Sequence, residues 1–561
     1  MTTNNKARSP LMLWGALSLC LAFIPNGNAR ATSAVVGKGI VLEQSTQQKT
    51  FSGVVKDAKG EPLIGVSVVE KGTSNGVVTD LNGHFSLKTT SAKPTLTFSY
   101  IGYASQTVMP SGAVLQDIVL KEEGHEIGEG VVTALGIKRE QKALSYNVQQ
   151  IKGDKLTAVK DPNFVNSLVG KVAGVQINAG AGGAGSAVRV VMRGSKSIEK
   201  GNNVLYVIDG IPMYNHSFGG AGNSFGTKAG SESSADINPE DIESINMLTG
   251  PSAAALYGSD AANGVVIINT KRGTKEKTSV TISNSSMFST ATMLPRTQHS
   301  YGTSNGMLSW GKKQESDFDP AKFFNTGSNI INSVELSTGN QKNQTYLSVS
   351  TTNAKGIVPR NTYDRYNFTA RNSTSFLEDK LVLDFGLNYI LQKDANFVAQ
   401  GIYNNPLPAL YLFPPGEDFN EIRNYERWDP VLGYKTQYWP YGEGAHSLQN
   451  PYWIQNRMQR TTDKQRYMLN ASLKWNILSW LNATGRVRVD NSQYRLLGKN
   501  YASTLKTFSD DNGGYSDETQ SDRSLYADVM LNINKRFNDL VSVNANIGAS
   551  LNDQRFESAG G

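Results

Sequence analysis

The most regular pattern in the chain is the alternation of apolar and polar residues in its C-terminal half. Between Tyr467 and Trp475 every second side chain is apolar, and most of those between them are polar. The same alternation recurs in the segments 381–389, 481–489, 525–533 and 541–549. Successive side chains of a β-strand point to opposite faces, so alternation over ~10 residues is typical of a membrane-spanning strand, apolar toward lipid and polar toward a lumen. A soluble sandwich also has alternating strands, but these are usually ~5–6 residues long.

The connections between these segments alternate in length, as the turns and loops of an outer-membrane barrel do. The tight connections are Leu377–Lys380, Asn476–Trp480 and Arg536–Asp539, and the long polar ones are Asp394–Lys464 and Asn491–Asp522. We therefore predict an incomplete antiparallel transmembrane β-barrel over residues 274–561.

The pattern before the barrel differs, because short strands with closely spaced turn signals fill residues 51–121. The predicted strands are Phe51–Val55, Val66–Val69, Gly76–Thr79, His84–Leu87, Thr95–Phe98 and Asp117–Leu120. Asx and Gly residues between them suit tight turns, and Asp80–Gly83 is one of these turns rather than a calcium loop. This spacing predicts a small antiparallel β-sandwich.

Residues 141–273 mix helical and strand patterns and predict a compact α+β domain. Buried strands are expected at Leu205–Asp209 and Val265–Thr270, a short helix at Phe164–Leu168, a helix that opens with Pro239–Glu243, and a helical turn at Ala253–Leu256. The preceding segment, 122–140, contains the β-prone residues Val131, Val132, Thr133 and Ala134. On the residues alone, this stretch is either an edge strand or an extended peptide kept free to pair with a partner's sheet edge.

The N-terminus has the pattern of a secretory signal over residues 1–31, followed by a polar linker over 32–50. Lys6 and Arg8 precede an apolar run that is too short to span a membrane, and Ala29–Ala31 offers a cleavage site. The formal net charge of +7 in 561 residues is small, so the charge gives no indication of nucleic-acid binding.

The composition also excludes most site chemistry. The only cysteine, Cys20, lies in the predicted signal, and the five histidines are widely separated, so no metal site or cysteine nucleophile is expected. Gly180–Gly185 matches the spacing of a dinucleotide fingerprint, but the residues after it read as a strand instead of the helix this motif requires. Asp209 and Asp260 have no identifiable catalytic partner. We predict no enzyme, no catalytic residue and no cofactor.

Seven segments of the chain share their sequence pattern with a known family: Gly130–Glu140, Leu168–Ile177, Arg189–Gly194, Leu205–Pro212, Ile237–Ile245, Pro251–Gly258 and Ala261–Gly273. Through these segments the sequence from Val131 onward resembles the SusC/RagA family of TonB-dependent outer-membrane transporters. Residues 51–121 resemble the carboxypeptidase-regulatory-like domain that precedes the plug in this family. The resemblance implies an outer-membrane location, a plug over 141–273 inside the barrel, and a TonB box at Val131, Val132, Thr133 and Ala134. It also implies TonB and a SusD-like surface lipoprotein as partners, with an oligosaccharide or a peptide as the substrate.

The barrel is short for this family. We count roughly nine strands after Gly273, whereas a plugged transporter barrel has about 22. The sequence therefore predicts a fragment or truncated product that would not transport alone, because an open barrel leaves unsatisfied strand edges in the bilayer.

Two functions remain open from the sequence. The first is import of a nutrient, an oligosaccharide rather than a peptide, and the second is a non-transporting surface protein that binds a ligand or has a structural role. Aromatic faces suit sugar rings, although an interfacial aromatic girdle would explain the same residues. The candidate ligand contacts in the long loops are Tyr411, Trp428, Tyr438, Trp439, Tyr441 and Trp453.

Overall fold

The computed structural model describes most of the chain from residue 49 onward. Within 49–561 it leaves out residues 58–59, 74, 92–93, 101–102, 111, 116, 121–129, 133–137, 141–147, 196–201, 217–225, 227–228, 249–252, 255–256, 305–307 and 538–540. The predicted signal and most of the predicted linker lie outside the described residues. The chain divides into two compact units, Met1–Glu126 and Ile127–Gly561.

The first unit is a small sandwich of two β-sheets. Its strands are β1 (Lys49–Lys56), β2 (Ser67–Glu70), β3 (Gly76–Val78), β4 (His84–Thr89), β5 (Leu96–Tyr100), β6 (Tyr103–Val108) and β7 (Ile118–Val119). One sheet has the order β4-β1-β7 and the other β3-β2-β5-β6. The rings of Phe85 and Phe98 meet edge to face at 5.3 Å in the apolar layer. The predicted sandwich is thus confirmed, with β6 as an additional strand and one parallel pair, β1 with β7.

The predicted turn at Asp80 is also present. The Asp80 carboxylate accepts hydrogen bonds from the backbone N–H groups of Asn82 and His84, each at 2.9 Å. Gly83 has a φ of 72°, which closes the turn before β4. The hydrogen bonds of the Asp80 carboxylate therefore stabilise the turn itself.

The second unit begins with a short hairpin in the predicted TonB-box segment. Strand β8 (Gly130–Val132) pairs antiparallel with β9 (Lys138–Glu140), and Val131 lies opposite Arg139. Thr133 and Ala134 lie outside the described residues. A two-stranded ribbon of this length has little stability by itself.

The plug is built on a five-stranded sheet. Its strands are β10 (Val148–Lys152), β13 (Leu205–Ile208), β14 (Ile211–Met213), β15 (Ile242–Leu248) and β16 (Val265–Thr270). Between β10 and β13 in the chain, β11 (Val175–Asn178) and β12 (Arg189–Met192) form a separate two-stranded ribbon. The order of the main sheet is β10-β15-β16-β13-β14, in which β13 and β16 run parallel. Helix α1 (Gly153–Thr157) and short 3₁₀ helices at Phe164–Leu168, Ser233–Asp236, Pro239–Asp241 and Ser259–Ala261 connect the strands.

The helical segment predicted to open at Pro239 is a single 3₁₀ turn, so the prediction of a longer helix is wrong. The Asn238 side chain accepts from the Glu240 N–H and caps the turn, but β15 starts at Ile242. The apolar residues from Ile242 onward pair with β16 and bury nearly every side chain. Tertiary pairing therefore overrides the local helix signal. The turn predicted over 253–256 extends into residues outside the described part.

The C-terminal part is one antiparallel sheet of nine strands in chain order. The strands are β17 (Ser279–Ser289), β18 (Gly327–Gly339), β19 (Asn343–Lys355), β20 (Thr362–Phe376), β21 (Leu381–Ala395), β24 (Met458–Leu478), β25 (Leu481–Asn500), β26 (Gly514–Arg536) and β27 (Ser542–Gly560). The connection between β21 and β24 carries helices α2 (Pro406–Tyr411) and α3 (Pro451–Arg457), the hairpin β22 (Glu426–Asp429) with β23 (Tyr434–Gln437), and 3₁₀ turns at Glu421–Arg423 and Gly444–His446. A further 3₁₀ turn, Pro320–Phe323, precedes β18.

The strand ends correct the predicted loop lengths. The tight turn Leu377–Lys380 is as predicted, whereas β24 runs to Leu478 and shortens the turn predicted over 476–480, and the turn predicted over 536–539 extends into residues outside the described part. The long loops are shorter than 394–464 and 491–522, because β24 starts at Met458 and β25 runs to Asn500. These strands continue past the alternating segments, and there polar residues stand on both faces of the strand, so hydrophobic alternation no longer marks them.

The nine-stranded sheet has the polarity expected for a membrane barrel. Outward-facing Val529 is 65% exposed, whereas its neighbour Asp528 is 5% exposed on the opposite face. The same division holds along β25, where Val487 is exposed and Arg486 and Arg488 are buried. Charged groups lie inside and apolar groups outside, the reverse of a water-soluble sheet. No helix in the described part of the chain is long and apolar enough to cross a membrane.

Candidate functional site at the plug and barrel wall

The plug contacts the inner face of the nine-stranded sheet through buried polar groups. Three plug aspartates, Asp209, Asp236 and Asp241, each point into this contact and bind barrel side chains. We call these three residues the plug anchors. They differ in whether their barrel partners are cations or hydroxyls, and this difference decides their charge state.

Asp236 is the most thoroughly buried ion-pair member. It ends the 3₁₀ helix Ser233–Asp236, and its Oδ2 lies 2.5 Å from Lys464 Nζ and 2.6 Å from Arg466 Nη1. Arg466 also pairs with Asp490 at 2.6 Å. Burial alone would raise the pKa of Asp236, but the two cations outweigh it and hold this pKa below its usual value. The carboxylate is therefore kept ionised away from water.

Asp209 is held from both the plug and the barrel. It follows β13 with a φ of 50°, and the Thr270 hydroxyl donates to its Oδ2 at 2.8 Å. Arg371 of β20 pairs with the same oxygen at 3.0 Å and with Asp384 of β21. Burial works against ionisation, but Arg371 dominates together with Thr270, so the pKa of Asp209 is lowered. The sequence analysis considered Asp209 as a catalytic carboxylate. In the structure its partners are the Arg371 guanidinium and the Thr270 hydroxyl.

Asp241 has uncharged partners on the barrel wall. Tyr346 donates to Oδ1 at 2.9 Å, Ser348 to the same oxygen at 2.6 Å, and Thr369 to Oδ2 at 2.7 Å. Burial raises the pKa of Asp241, and the three hydroxyl donors compensate only in part. The three plug carboxylates thus bind different chemical groups at different places on the barrel wall, on β24, on β20, and on β19 with β20, which fixes the plug in one orientation.

Barrel arginines also bind plug backbone carbonyls. Arg488 donates to the carbonyl oxygens of Ile208 at 2.9 Å and Ile211 at 3.2 Å, and Arg486 donates to Gly210 at 3.3 Å. These three carbonyls form the turn between β13 and β14. The barrel therefore holds the turn that follows strand β13 of the plug sheet.

The glycine-rich segment Gly180–Gly185 packs directly against the barrel wall. Gly185 has a φ of +77°, and a Cβ placed on it would lie 2.3 Å from the Tyr363 ring. The Ala184 N–H donates to the Asn361 side chain at 3.1 Å. The residues after the segment form strand β12 and no helix, so the structural context of a dinucleotide site is absent here. The glycines allow close approach of two backbones.

A cavity of about 900 Å³ lies at the end of the sheet that carries the long loops. Its walls come from the plug, the 394–404 segment, α3 and the upper parts of β24, β25 and β26. Aromatic rings and hydrogen-bonding groups both line it, including His216, Phe397, Tyr403, Phe508, Phe556, Asp394, Asn404, Gln455, Arg460, Thr461, Thr462, Glu518 and Gln520. A cavity of this size and mixed polarity is suited to a small ligand.

The six predicted ligand contacts do not line this cavity. Tyr411, Trp439 and Tyr441 pack on a core of the long loops that contains Phe413 and Phe419. Trp453 is almost completely buried, and its indole N–H donates to Thr504 at 3.1 Å. These four side chains therefore contribute to the packing of the loops.

The other two predicted residues are more accessible. The Tyr438 ring lies 3.2 Å from the Arg427 guanidinium carbon, and its hydroxyl donates to Glu421 at 3.0 Å. Trp428 on β22 is 64% exposed. It is the only one of the six with a largely exposed ring.

Sequence reasoning missed the cavity residues because they are scattered. His216, Phe397 and Phe508 stand alone in three separate segments, without a spacing that links them. Only the strand order brings them together. Among the described residues, no group of three or more His, Cys, Asp or Glu side chains is placed to hold a metal ion.

Two segments match known domain families. Residues 140–265 match the TonB-dependent Receptor Plug Domain, and residues 51–132 match the CarboxypepD_reg-like domain. Both predicted domain types are thereby confirmed. The two matches cover the sandwich and the plug sheet as far as the start of β16.

Curated relatives extend the similarity into the barrel. The chain is 30% identical over 438 residues to TonB-dependent receptor SusC of Bacteroides thetaiotaomicron, which covers 74% of this chain and 42% of SusC. It is 30% identical over 406 residues to TonB-dependent receptor P26 of Formosa agariphila, covering 69% of this chain and 38% of P26. The chain thus spans less than half the length of these relatives.

A solved structure has the same fold. The RagAB peptide importer in its open-open state superposes with a TM-score of 0.56 at 18% identity, covering 77% of this chain and 53% of that chain. Together with the domain matches, this confirms the predicted fold of a small β domain, a plug domain and a large antiparallel β-sheet.

Proposed function

We propose, from the premise that this chain is a homologue of the SusC-type TonB-dependent receptors and carries their plug domain, that it supplies the plug and barrel wall of an outer-membrane importer. The observation that carries this proposal is the plug seated on a charged inner wall whose outer face is apolar. Import then requires the plug anchors to release, because their contacts occupy the space along the inner wall.

Release needs a source of force on the plug. We assign this role to the TonB box, Val131, Val132, Thr133 and Ala134, which lies ahead of the plug sheet in the chain. An extended segment can add a strand to a partner's sheet edge through backbone hydrogen bonds. The marginal β8–β9 hairpin is compatible with such an exchange, since a three-residue pairing is easily replaced. Energised TonB would pull this segment and unseat the plug.

The substrate we propose is an oligosaccharide, delivered with a SusD-like surface lipoprotein. The cavity supports a sugar ligand because both aromatic rings and amide, hydroxyl and charged groups line its walls. Exposed Trp428 on the long loop is a proposed outer contact for the same ligand. A peptide is the alternative substrate, because RagAB, which shares the fold, is a peptide importer.

Deletion of residues 131–134 tests the proposal in the native bacterium. We expect growth on the imported polysaccharide or on a protein hydrolysate to fail, while surface display of the chain persists. A four-residue deletion in the 32–50 linker is the matched control and should leave growth unchanged. If the protein instead binds ligand without transport, the deletion at 131–134 will have no effect on growth, and the import function is wrong. The carbon source that stops supporting growth distinguishes oligosaccharide from peptide.

A further inference from the structure

The inner face of strands β24 and β25 carries a column of buried cations. These are Lys464 and Arg466 on β24 and Arg486 and Arg488 on β25, and we call them the basic lane. The structure describes every residue of these two strands, and Asp490 is their only buried carboxylate. Alternate side chains share one face of a strand, so the lane and Asp490 face the plug together.

The lane runs along the wall from the cavity toward the end of the sheet that carries the tight turns. Thr461 and Thr462 line the cavity just before Lys464 in the chain. Lys464 lies opposite Tyr494 and Ser472 lies opposite Arg486, so the two ends of the lane are roughly 26 Å apart at ~3.3 Å per residue. A substrate that passes along this wall would therefore meet the lane over most of its path.

The plug supplies an oxygen acceptor to every cation of the lane. The Asp236 carboxylate pairs with Lys464 and Arg466. Backbone carbonyls of the turn between β13 and β14 accept hydrogen bonds from Arg486 and Arg488. The plug thus presents a carboxylate and the negative ends of peptide dipoles, which are the groups that ammonium and guanidinium ions bind.

Half of the lane depends on the plug for these partners. Two cations keep a carboxylate partner on the barrel wall, in the pairs Arg466–Asp490 and Arg486–Asp528. Among the described residues, Lys464 has only Asp236 of the plug as an ion-pair partner, and Arg488 has no carboxylate partner. Arg488 is 4% exposed, and its Nε has no hydrogen-bond partner in the described part of the chain. Movement of the plug therefore leaves Lys464 and Arg488 without a compensating negative charge.

The other buried carboxylates of the described inner wall do not neutralise these two cations. Two of them have other partners, in the pairs Arg371–Asp384 and Lys271–Glu335. Asp394 lies on β21 beside β24, where it accepts a hydrogen bond from Gln392 at 3.0 Å and forms no ion pair with Lys464. The wall formed by β24 and β25 is therefore positive once the plug has moved.

We propose that the imported oligosaccharide is anionic, with carboxylate or sulfate groups on its sugar rings, and that the basic lane binds these groups during passage. This inference rests on the proposed import function and specifies its substrate. A confined cation is stable only with a well-placed acceptor, and rows of Arg or Lys side chains select anions in pores. Lys464 and Arg488 thus favour an anionic sugar over a neutral sugar of the same size.

A mixed panel of compounds tests the charge of the substrate in the native bacterium. The neutral oligosaccharides come from starch, xylan and galactan, and the anionic ones come from galacturonan, alginate and chondroitin sulfate. Acidic and neutral peptides complete the panel. Mass spectrometry of the medium follows the disappearance of each compound with parent cells and with cells lacking residues 131–134. We expect the compounds whose disappearance requires residues 131–134 to be sugars that carry carboxylate or sulfate groups.

The other outcomes separate this inference from import itself. If only neutral sugars, or only peptides, require residues 131–134, import is retained and the anionic sugar substrate is wrong. If no compound requires residues 131–134, the import function is wrong and the inference is overturned with it.

Substitution of Arg488 tests the lane directly. Arg488→Gln removes the charge but keeps a hydrogen-bond donor for the plug carbonyls, whereas Arg488→Lys keeps the charge. Relative to the amount of chain at the cell surface, we expect Arg488→Gln to slow disappearance of the anionic sugars about tenfold and Arg488→Lys to stay within about twofold of the parent. Arg495→Gln is the matched control on the same strand, because the Arg495 side chain is 60% exposed, and it should have no effect. Equal slowing by the Gln and Lys variants, or none by either, would overturn the role of the lane.

Discussion

Asp236 of the plug and Lys464 of the barrel wall form a 2.5 Å ion pair in which both side chains are almost fully removed from water. Removing charges from water is costly, and the cost is recovered only when the partner charge is correctly placed. The pair therefore contributes less to overall stability than to selecting one seated position of the plug. A plug displaced along the wall would leave Lys464 and Arg466 without their shared carboxylate.

Asp236→Asn should weaken the seating of the plug by about 3–5 kcal/mol, because it leaves the buried Lys464 ammonium without its carboxylate and Arg466 with Asp490 alone. Urea denaturation followed by tryptic digestion of the plug measures the effect. Asp511→Asn is the control, since its pair with Lys506 is exposed and should have negligible influence. Equal urea midpoints for the two variants would show that Asp236 does not hold the plug.

The stability of the seated plug should also depend on pH in a defined range. The pKa of Asp236 is lowered, since Lys464 and Arg466 outweigh the effect of burial on this carboxyl. A lowered pKa stabilises the folded state above the unfolded value of 3.8, and this contribution is lost as the pH falls from 3.8 through the folded pKa. The difference in urea midpoint between the parent and Asp236→Asn should therefore be constant above 3.8 and shrink below it. If the difference in urea midpoint stayed constant through the acid range, Asp236 would not be ionised in the folded protein.

Gly185 should tolerate no side chain. Gly185→Ala places a Cβ 2.3 Å from Tyr363 and strains a φ of +77°. Gly194→Ala is a matched control, because Gly194 has a similar φ of +84° but nothing within 4 Å of its Cβ position. The backbone term of about 1–2 kcal/mol should appear in both variants, and a further clash of about 1–3 kcal/mol only at Gly185. The urea midpoints of the two variants give the comparison, and equal midpoints would mean that the plug segment does not contact the wall.

The sequence predicted the architecture because its strongest signals are local. Alternation marks the segments that cross the hydrocarbon, and the buried plug strands β13 and β16 read as continuous apolar runs. The signal fades where β25 continues from Asn491 to Asn500 beyond the lipid, and there the predicted loop was too long. The local pattern is sufficient to predict a strand wherever each face of that strand meets a single environment, either lipid or water.

The site was less accessible to sequence reasoning. Trp453 stands among polar loop residues, a context that suggested a ligand contact, yet a long loop with its own apolar core can bury such a ring. The residues around His216 in the sequence show no regular alternation of apolar and polar positions. Its place in the cavity wall follows from strands β25 and β27, which bring Tyr494 and Phe556 beside it. Contacts between residues more than two hundred positions apart leave no local pattern.

Val529 provides the most direct test of the membrane assignment. Its side chain is 65% exposed on the outer face of β26, where an apolar residue is stable only against lipid. Val529→Lys should cost up to about 2–4 kcal/mol when the protein folds into lipid vesicles, since a charge on the lipid face must leave water. Val431→Lys is the control, because Val431 is 89% exposed between β22 and β23, outside the barrel strands. Urea titration of folding in vesicles measures both variants. If Val529→Lys were as harmless as Val431→Lys, the outer face of the sheet would be in water and the barrel would not span the membrane.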